Sequence, residues 1–314
     1  MATRYINKAG ALSEILNQPT SAGIGFYGGQ FWGNSNGTVA PIGGGNPFAN
    51  VLLVDGDNGS ATDRRLPYLT IQAAVTAASQ GDVIYIKALE AESVSGDTDP
   101  DSYTENIVIP AGKDGISLIG VGRGLSQGAQ PQVKVGATTT APIITVQAFG
   151  VSIKGLTING AGATGGGILL DAVAGTQDAG GLTVLGCHFK NCKSSGAAAT
   201  GGAIYWSANG QSWYVTIAGN DFFDCRAGIV LIGTSIDRPK DVKILNNYFY
   251  SSLNTTVDAD VYLAGGSGVN GLLIDGNVFG TVDCPGYATS PTAARYLDLT
   301  NCTNGILSNN TFAC

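Results

Sequence analysis

Six copies of one phrase run along the second half of the chain, each ending 27 to 33 residues after the last. The phrase reads apolar, any, aliphatic, any, Gly or Asn, usually Asn, any, aromatic. Its copies are VSIKGLTI closing at Ile158, LTVLGCHF at Phe189, VTIAGNDF at Phe222, VKILNNYF at Phe249, LLIDGNVF at Phe279 and the weaker GILSNNTF at Phe312. A period of this length means a solenoid, in which each repeat buries its apolar face on its neighbours.

The residue types say which solenoid. Ile153, Val184, Ile217, Ile244, Ile274 and Leu307 stand five residues before the closing position; Val151, Leu182, Val215, Val242 and Leu272 stand seven before, with Gly305 the exception. Alternation of period two marks a strand with one buried face. Three before the closing residue come Gly155, Gly186, Gly219, Asn246, Gly276 and Asn309. These types enter left-handed backbone at least cost, so each strand bends there. Asn220, Asn247, Asn277 and Asn310 follow the bend, with Leu156 and Cys187 in the earlier copies. Stacked coil on coil, such amides hydrogen-bond along the axis and satisfy the backbone at the bend.

A second apolar strand precedes most copies: GGILL (166–170), AIYW (203–206), GIVLI (228–232), DVYL (260–263) and RYLDL (295–299). Its distance from the closing aromatic varies, which places insertions in the loops between strands. Two or three short strands per coil with tight Gly/Asn corners describe a parallel β-helix, an all-β fold. A β-sandwich, which also spaces short strands regularly, is the competing architecture.

Composition agrees with a solenoid growing as one unit. The 47 glycines have no collagen period, and only 12% of the 314 residues are charged, as suits a large β surface with its backbone already paired. A net charge of −7 argues against a nucleic-acid partner. No apolar run reaches the length of a membrane span, and the opening MATRYINKAG lacks the apolar segment of a secretory signal.

Six cysteines are present. Cys192 and Cys225 each follow a closing aromatic by three residues, so adjacent coils bring them roughly 5 Å apart. They either bridge or serve as buried thiols. Cys187 takes an inward ladder position, while Cys284, Cys302 and Cys314 fall in the last two coils. The absence of a CxxC pair argues against zinc. The Asp55-x-Asp57-x-Gly59 stretch superficially resembles a calcium loop, but it lacks the downstream acidic ligand and suits an Asx/Gly turn at least as well. Neither a metal nor a cofactor is expected.

Residues 1–50 differ in character. One helical candidate, Ala9 to Asn17, precedes a run rich in Gly, Asn and aromatics (23–37) and a Pro/Gly stretch. Too small for its own core, this segment reads as an irregular arm that orders on a neighbour, with Phe26, Tyr27, Phe31 and Trp32 as attachment residues. The domain that follows, 51–314, begins with a short amphipathic helix at 70–79. Ile71, Ala74, Val75 and Ala78 lie on one face of that helix, which covers the open first coil.

The string Asp55 to Gly59, then YLTIQAAV (68–75) and GDVIYI (81–86), together with the later Gly-Asn-x-Phe turns, resembles the right-handed parallel β-helix proteins of the pectin-lyase-like superfamily. The resemblance covers about 260 residues. It implies a right-handed β-helix and leaves several functions open: pectate lyases, polysaccharide hydrolases, adhesins, and the tail spikes and other projecting proteins of bacteriophages. The phage members usually form trimers held to the particle by an N-terminal arm.

The resemblance also says what an enzyme of this class needs. Its lyases place an Arg or Lys base beside a calcium-binding acidic cluster, and its hydrolases place two or three Asp on adjacent coils. The catalytic candidates here are His188, Asp221, Asp224 and Arg226, with Asp171 and Lys190 nearby. Strand alternation turns His188 and Asp221 toward solvent, one above the other. They form either an acid/base pair or a surface salt bridge of little worth. The paired-Asp, Gly-His-Gly and Arg-x-Pro-x-x-Arg signatures are missing, and Arg238-Pro239-Lys240 is only a fragment of the last. Aromatic residues flank one loop, giving Trp206, Trp213 and Tyr214 as glycan-binding candidates beside Tyr205, with subunit contact as the commoner fate of such residues.

The fold normally works outside cells, and a phage virion reconciles that with the absent signal, since its parts leave by lysis. The chain ends two residues after Phe312, so a neighbouring subunit or another polypeptide is expected to cover the last coil. The sequence thus points to a virion structural protein projecting from capsid or tail, a homotrimer with possible surface-polysaccharide binding. The alternative is a polysaccharide-degrading tail spike or a secreted lyase or hydrolase.

Overall fold

The repeated phrase folds as two strands, not one. In a computed structural model its aliphatic half forms a strand of sheet A and its aromatic half a strand of sheet B, as in Ser152–Lys154 and Thr157–Asn159. The Gly/Asn between them turns the corner. The separate apolar run supplies sheet C, as in Ile168–Leu170. The structure describes residues 23–27, 30–35, 38–41, 51–57, 59, 67–89, 102–122, 130–161, 165–172, 179–192, 202–207, 212–225, 227–232, 239–250, 259–264, 269–280, 295–300 and 302–312.

Sheet A has twelve strands, sheet B eight and sheet C seven. From Val51–Val54 onward every strand pairs in parallel with its counterpart one coil away. This is the expected parallel β-helix. The corner residues behave as their types require: Gly155, Gly186, Gly219, Asn246, Gly276 and Asn309 all have φ between 51° and 67°.

Register converts the repeat into columns. In sheet A, Leu52, Ile84, Leu118, Ile153, Val184, Ile217, Ile244 and Ile274 stack along the axis, all buried. In sheet B, Phe189, Phe222, Phe249, Phe279 and Phe312 stack with centroids 4.6 to 5.1 Å apart and ring planes within 9° of parallel. Strand spacing is close to aromatic stacking distance, so the fold imposes this geometry on any aromatic repeated at the position.

Beside the aromatic column runs the amide ladder. Nδ2 of Asn220, Asn247 and Asn277 each donates to Oδ1 of the next asparagine at 2.9 to 3.0 Å, ending on Asn310. Each Oδ1 also accepts a backbone N–H from the coil before. Cys187 occupies the equivalent inward position and is fully buried.

The helix spans Ile71–Ala77, with Ile71, Ala74 and Val75 buried as expected. Thr70 Oγ1 caps it by accepting the Ala73 N–H at 3.1 Å. Glu105, from the first coil, accepts the N–H groups of Ile71 and Gln72 at 2.8 Å each, a carboxylate on a helix N-terminus.

The N-terminal segment is more regular than expected. Gly23–Tyr27, Gln30–Ser35 and Thr38–Pro41 are antiparallel strands, and the third pairs with Val51–Val54, extending sheet A. Phe26 is paired with Phe31 in this meander. Glycines flanking aromatic runs suit hairpins as well as irregular loops, and composition alone does not distinguish them. The helix expected at 9–17 lies outside the described residues.

One buried carboxyl breaks the pattern of the core. Asp260, in the sheet C strand Ala259–Ala264, is 6% exposed, and its Oδ2 lacks a hydrogen-bond partner. Burial pushes its carboxyl from 3.8 up to about 8. The folded state therefore holds a proton that the unfolded chain releases near pH 4, and stability should fall as pH rises from about 4 through about 8. The slope can reach about 1.4 kcal/mol per pH unit. Denaturant midpoints measured at pH 5 to 8 should show this decline, and Asp260→Asn should flatten it.

Candidate functional site

The turn from sheet C into sheet A is made at a second left-handed row that the repeat does not reveal. Gly81, Gly115, Gly150, Gly181, Tyr214, Asp241, Gly271 and Asn304 all have φ between 53° and 76°. The first four donate their N–H to the corner carbonyl one coil on, at 2.6 to 2.8 Å, and Tyr214 does the same to Lys240 at 3.0 Å. Tyr214 is the misfit. A bulky side chain in left-handed backbone costs roughly 1–2 kcal/mol, where the preceding coils use glycine.

That strain holds an aromatic ring in solvent. Tyr214 is 60% exposed and lies edge-on to half-buried Trp213, centroids 6.5 Å apart. Lys240 Nζ stands 4.4 Å from the Trp213 ring centre, a cation–π contact. Two coils earlier Phe149 is 47% exposed, its ring edge over Gly180 and Gly181. A Cβ on Gly180 would sit 3.0 Å from both Phe149 Cε2 and the Trp213 carbonyl oxygen. The coil between the two aromatics is bare backbone, and a side chain at Gly180 would have to displace the half-exposed Phe149 ring or crowd the Trp213 carbonyl.

The adjoining outer face of sheet A carries hydroxyls in register, Ser152, Thr183 and Thr216, followed by Lys243. Aromatic surface, aligned hydroxyls and ammonium groups make this corner suited to a polyhydroxylated ligand, whose apolar ring faces stack while its hydroxyls hydrogen-bond. The sequence candidates Trp213 and Tyr214 both lie at this corner. Phe149 was not a candidate, because only the three-dimensional corner places it on the same ridge.

The titratable candidates are placed differently from expectation. His188 and Asp221 are register partners in sheet B, as the repeat implied. His188 is nevertheless 5% exposed rather than solvent-facing, because the outer face of sheet B is covered here. Gln130, Gln132, Thr157, Asn159 and Lys190 on the same face are buried too. His188 Nδ1 lies 3.9 Å from Asp221 Oδ2, beyond hydrogen-bond reach. Both ring nitrogens lack a hydrogen-bond partner. Asp224 is also buried, at a left-handed corner with φ 50° past the strand end. Arg226 lies outside the described residues. Asp171 accepts from Gln147 Nε2 at 3.1 Å in sheet C's turn.

Trp206 is not a glycan platform. It is fully buried, in register with Leu170 on the inward side of sheet C. Tyr205, its outward neighbour, is covered by a small external cluster with Val230 and Ala227, and its hydroxyl donates to the Gly165 carbonyl. At the acidic stretch near the start, Asp55 Oδ1 accepts the Asp57 N–H at 3.1 Å, an Asx turn. Lys87 Nζ lies 3.1 and 3.5 Å from the Asp55 and Asp57 carboxylates, so an ammonium sits where a cation would bind. Phe26, Tyr27, Phe31 and Trp32 lie on the antiparallel meander already described.

No protein-family model and no curated protein matches the chain. Among solved structures, the pectin methylesterase from Aspergillus niger in deglycosylated form is 13% identical, with 86% of this chain and 87% of that one covered and a TM-score of 0.42. Escherichia coli YbhC is 12% identical over 99% of this chain and 95% of its own, with a TM-score of 0.43. A structure of XylC with xylose is 12% identical, with a TM-score of 0.40 over 75% of this chain, which spans 38% of that protein's length. The β-helix is shown by the strand pairing itself.

Proposed function

We propose that this chain is a bacteriophage virion structural protein, a β-helix projecting from capsid or tail as a homotrimer, which binds a surface glycan along the corner formed by Phe149, Trp213 and Tyr214. The observation that carries the reading is Tyr214. Strained backbone retained to present an aromatic ring to solvent is favoured where the ring has something to bind. The low charge of 12% and the exposed Leu53 and Tyr85, register partners on sheet A, support contact between the walls of neighbouring subunits. In this reading the segment 1–50 attaches the trimer to the particle.

Cleavage of the glycan is the second reading, and it rests on buried His188 beside Asp221. Passing the protein over immobilised capsular and cell-wall polysaccharides, while following polymer length in solution, separates the two. Retention without shortening is the expected result. Shortening of any polymer that is lost on His188→Ala would establish the enzyme instead, and failure to bind any polymer would remove the glycan from the proposal.

A further inference from the structure

We infer that Cys192 and Cys225 are a disulfide-forming pair which, on meeting a small-molecule disulfide oxidant, closes a covalent staple between two successive coils. Both are thiols in this structure, and they are equivalent residues one coil apart. Lys190 and Phe223, two residues before them, are register partners. The Asn191 N–H continues that pairing onto the Phe223 carbonyl at 3.0 Å. Asn191 and Asp224 then turn the chain identically, with φ of 56° and 50°.

The sulfurs occupy matching environments. Cys192 Sγ lies 3.7 Å from the Lys190 carbonyl oxygen and 3.8 Å from that of Ile158. Cys225 Sγ lies 3.5 Å from the Phe223 oxygen and 3.8 Å from that of Phe189, the same pair moved one coil along. The two side chains are therefore stacked and directed alike. Strand spacing of about 4.8 Å puts their Cα atoms within disulfide range, with one side chain turning toward the other to close the bond. The nearness of the two groups also registers at Cys225: burial, then the neighbouring Cys192, raises its thiol well above its ordinary range.

The reaction balances without further cofactors. Each cysteine gives up its proton, and the two sulfurs together lose two electrons as the S–S bond forms. The oxidant's own disulfide is reduced to two thiols. Cys192 is fully buried and Cys225 6% exposed, so the reaction is slow in the folded protein and proceeds while the coils are assembling or locally open. A staple at this place joins neighbouring coils in the middle of the solenoid, where fraying from either end has to pass.

Refolding the full reduced chain in a mixture of oxidised and reduced glutathione, then mapping its peptides by mass spectrometry, tests the pair directly. The expected product is a peptide linking Cys192 to Cys225, with an unfolding midpoint several degrees higher that dithiothreitol brings back down. Cys192→Ser and Cys225→Ala should each remove the linked peptide and the dithiothreitol-sensitive part of the midpoint. Recovery of both residues as unlinked thiols from the oxidised wild-type protein, or their linkage to other cysteines, would overturn the inference irrespective of how the variants fold.

Discussion

Phe249→Ala is expected to destabilise the protein by about 3–5 kcal/mol. Its ring is fully buried, stacked 4.6 Å from Phe222 and 4.9 Å from Phe279. Truncation forfeits the apolar burial and two aromatic contacts, and it leaves a cavity between flat faces. The walls cannot close that cavity, because backbone ladders on either side hold the coils at strand spacing. Gly228 is fitted to the same ring: a Cβ there would stand 2.7 Å from Phe249 Cε1. Chemical unfolding would register the loss as a lower midpoint, and a cost below 1 kcal/mol would mean that the column yields more readily than its geometry implies.

Asn247→Leu, nearly isosteric, should cost about 1–3 kcal/mol through orphaned polar groups rather than lost volume. Asn247 Oδ1 accepts from Asn220 N and Nδ2 at 2.9 and 3.0 Å. Its Nδ2 donates to the Ile217 carbonyl and Asn277 Oδ1 at 3.0 and 2.9 Å. All four partners lose a bond in a site closed to water. Leu156 holds the equivalent place earlier in the chain, where the next coil has Cys187 instead of an amide. A chain with both Asn247 and Asn277 changed to Leu should be less destabilised than the sum of the single variants, because the ladder is shared. Equal melting of Asn247→Leu and wild type would show that the ladder contributes little.

The repeat made the core legible because the coil uses each position for one purpose. A residue recurring at the right interval is inward, at a corner, or in the ladder, and Ile244, Asn246, Asn247 and Phe249 each fell where their types require. What the phrase concealed was its division into two sheets, since a single left-handed Gly or Asn is enough to change direction. The candidate site was less legible because it departs from the repeat. Tyr214 stands where the preceding coils have glycine, and Phe149 belongs to a corner with no common sequence mark. His188 obeyed the register yet lay buried, because alternation predicts which side of a strand a residue takes and not what covers that side.

The measurement that tests the central claim most directly is a paired one on Tyr214→Gly, comparing thermal or chemical stability with affinity for the glycan that the wild-type protein retains. Glycine relieves the left-handed strain, so the variant should be more stable by about 1 kcal/mol. It should also bind roughly tenfold more weakly for want of the ring. Stability and binding moving in opposite directions is the result the account requires. A variant that is more stable and binds the glycan as tightly as wild type would contradict it, leaving Tyr214 strained for some reason other than the ligand.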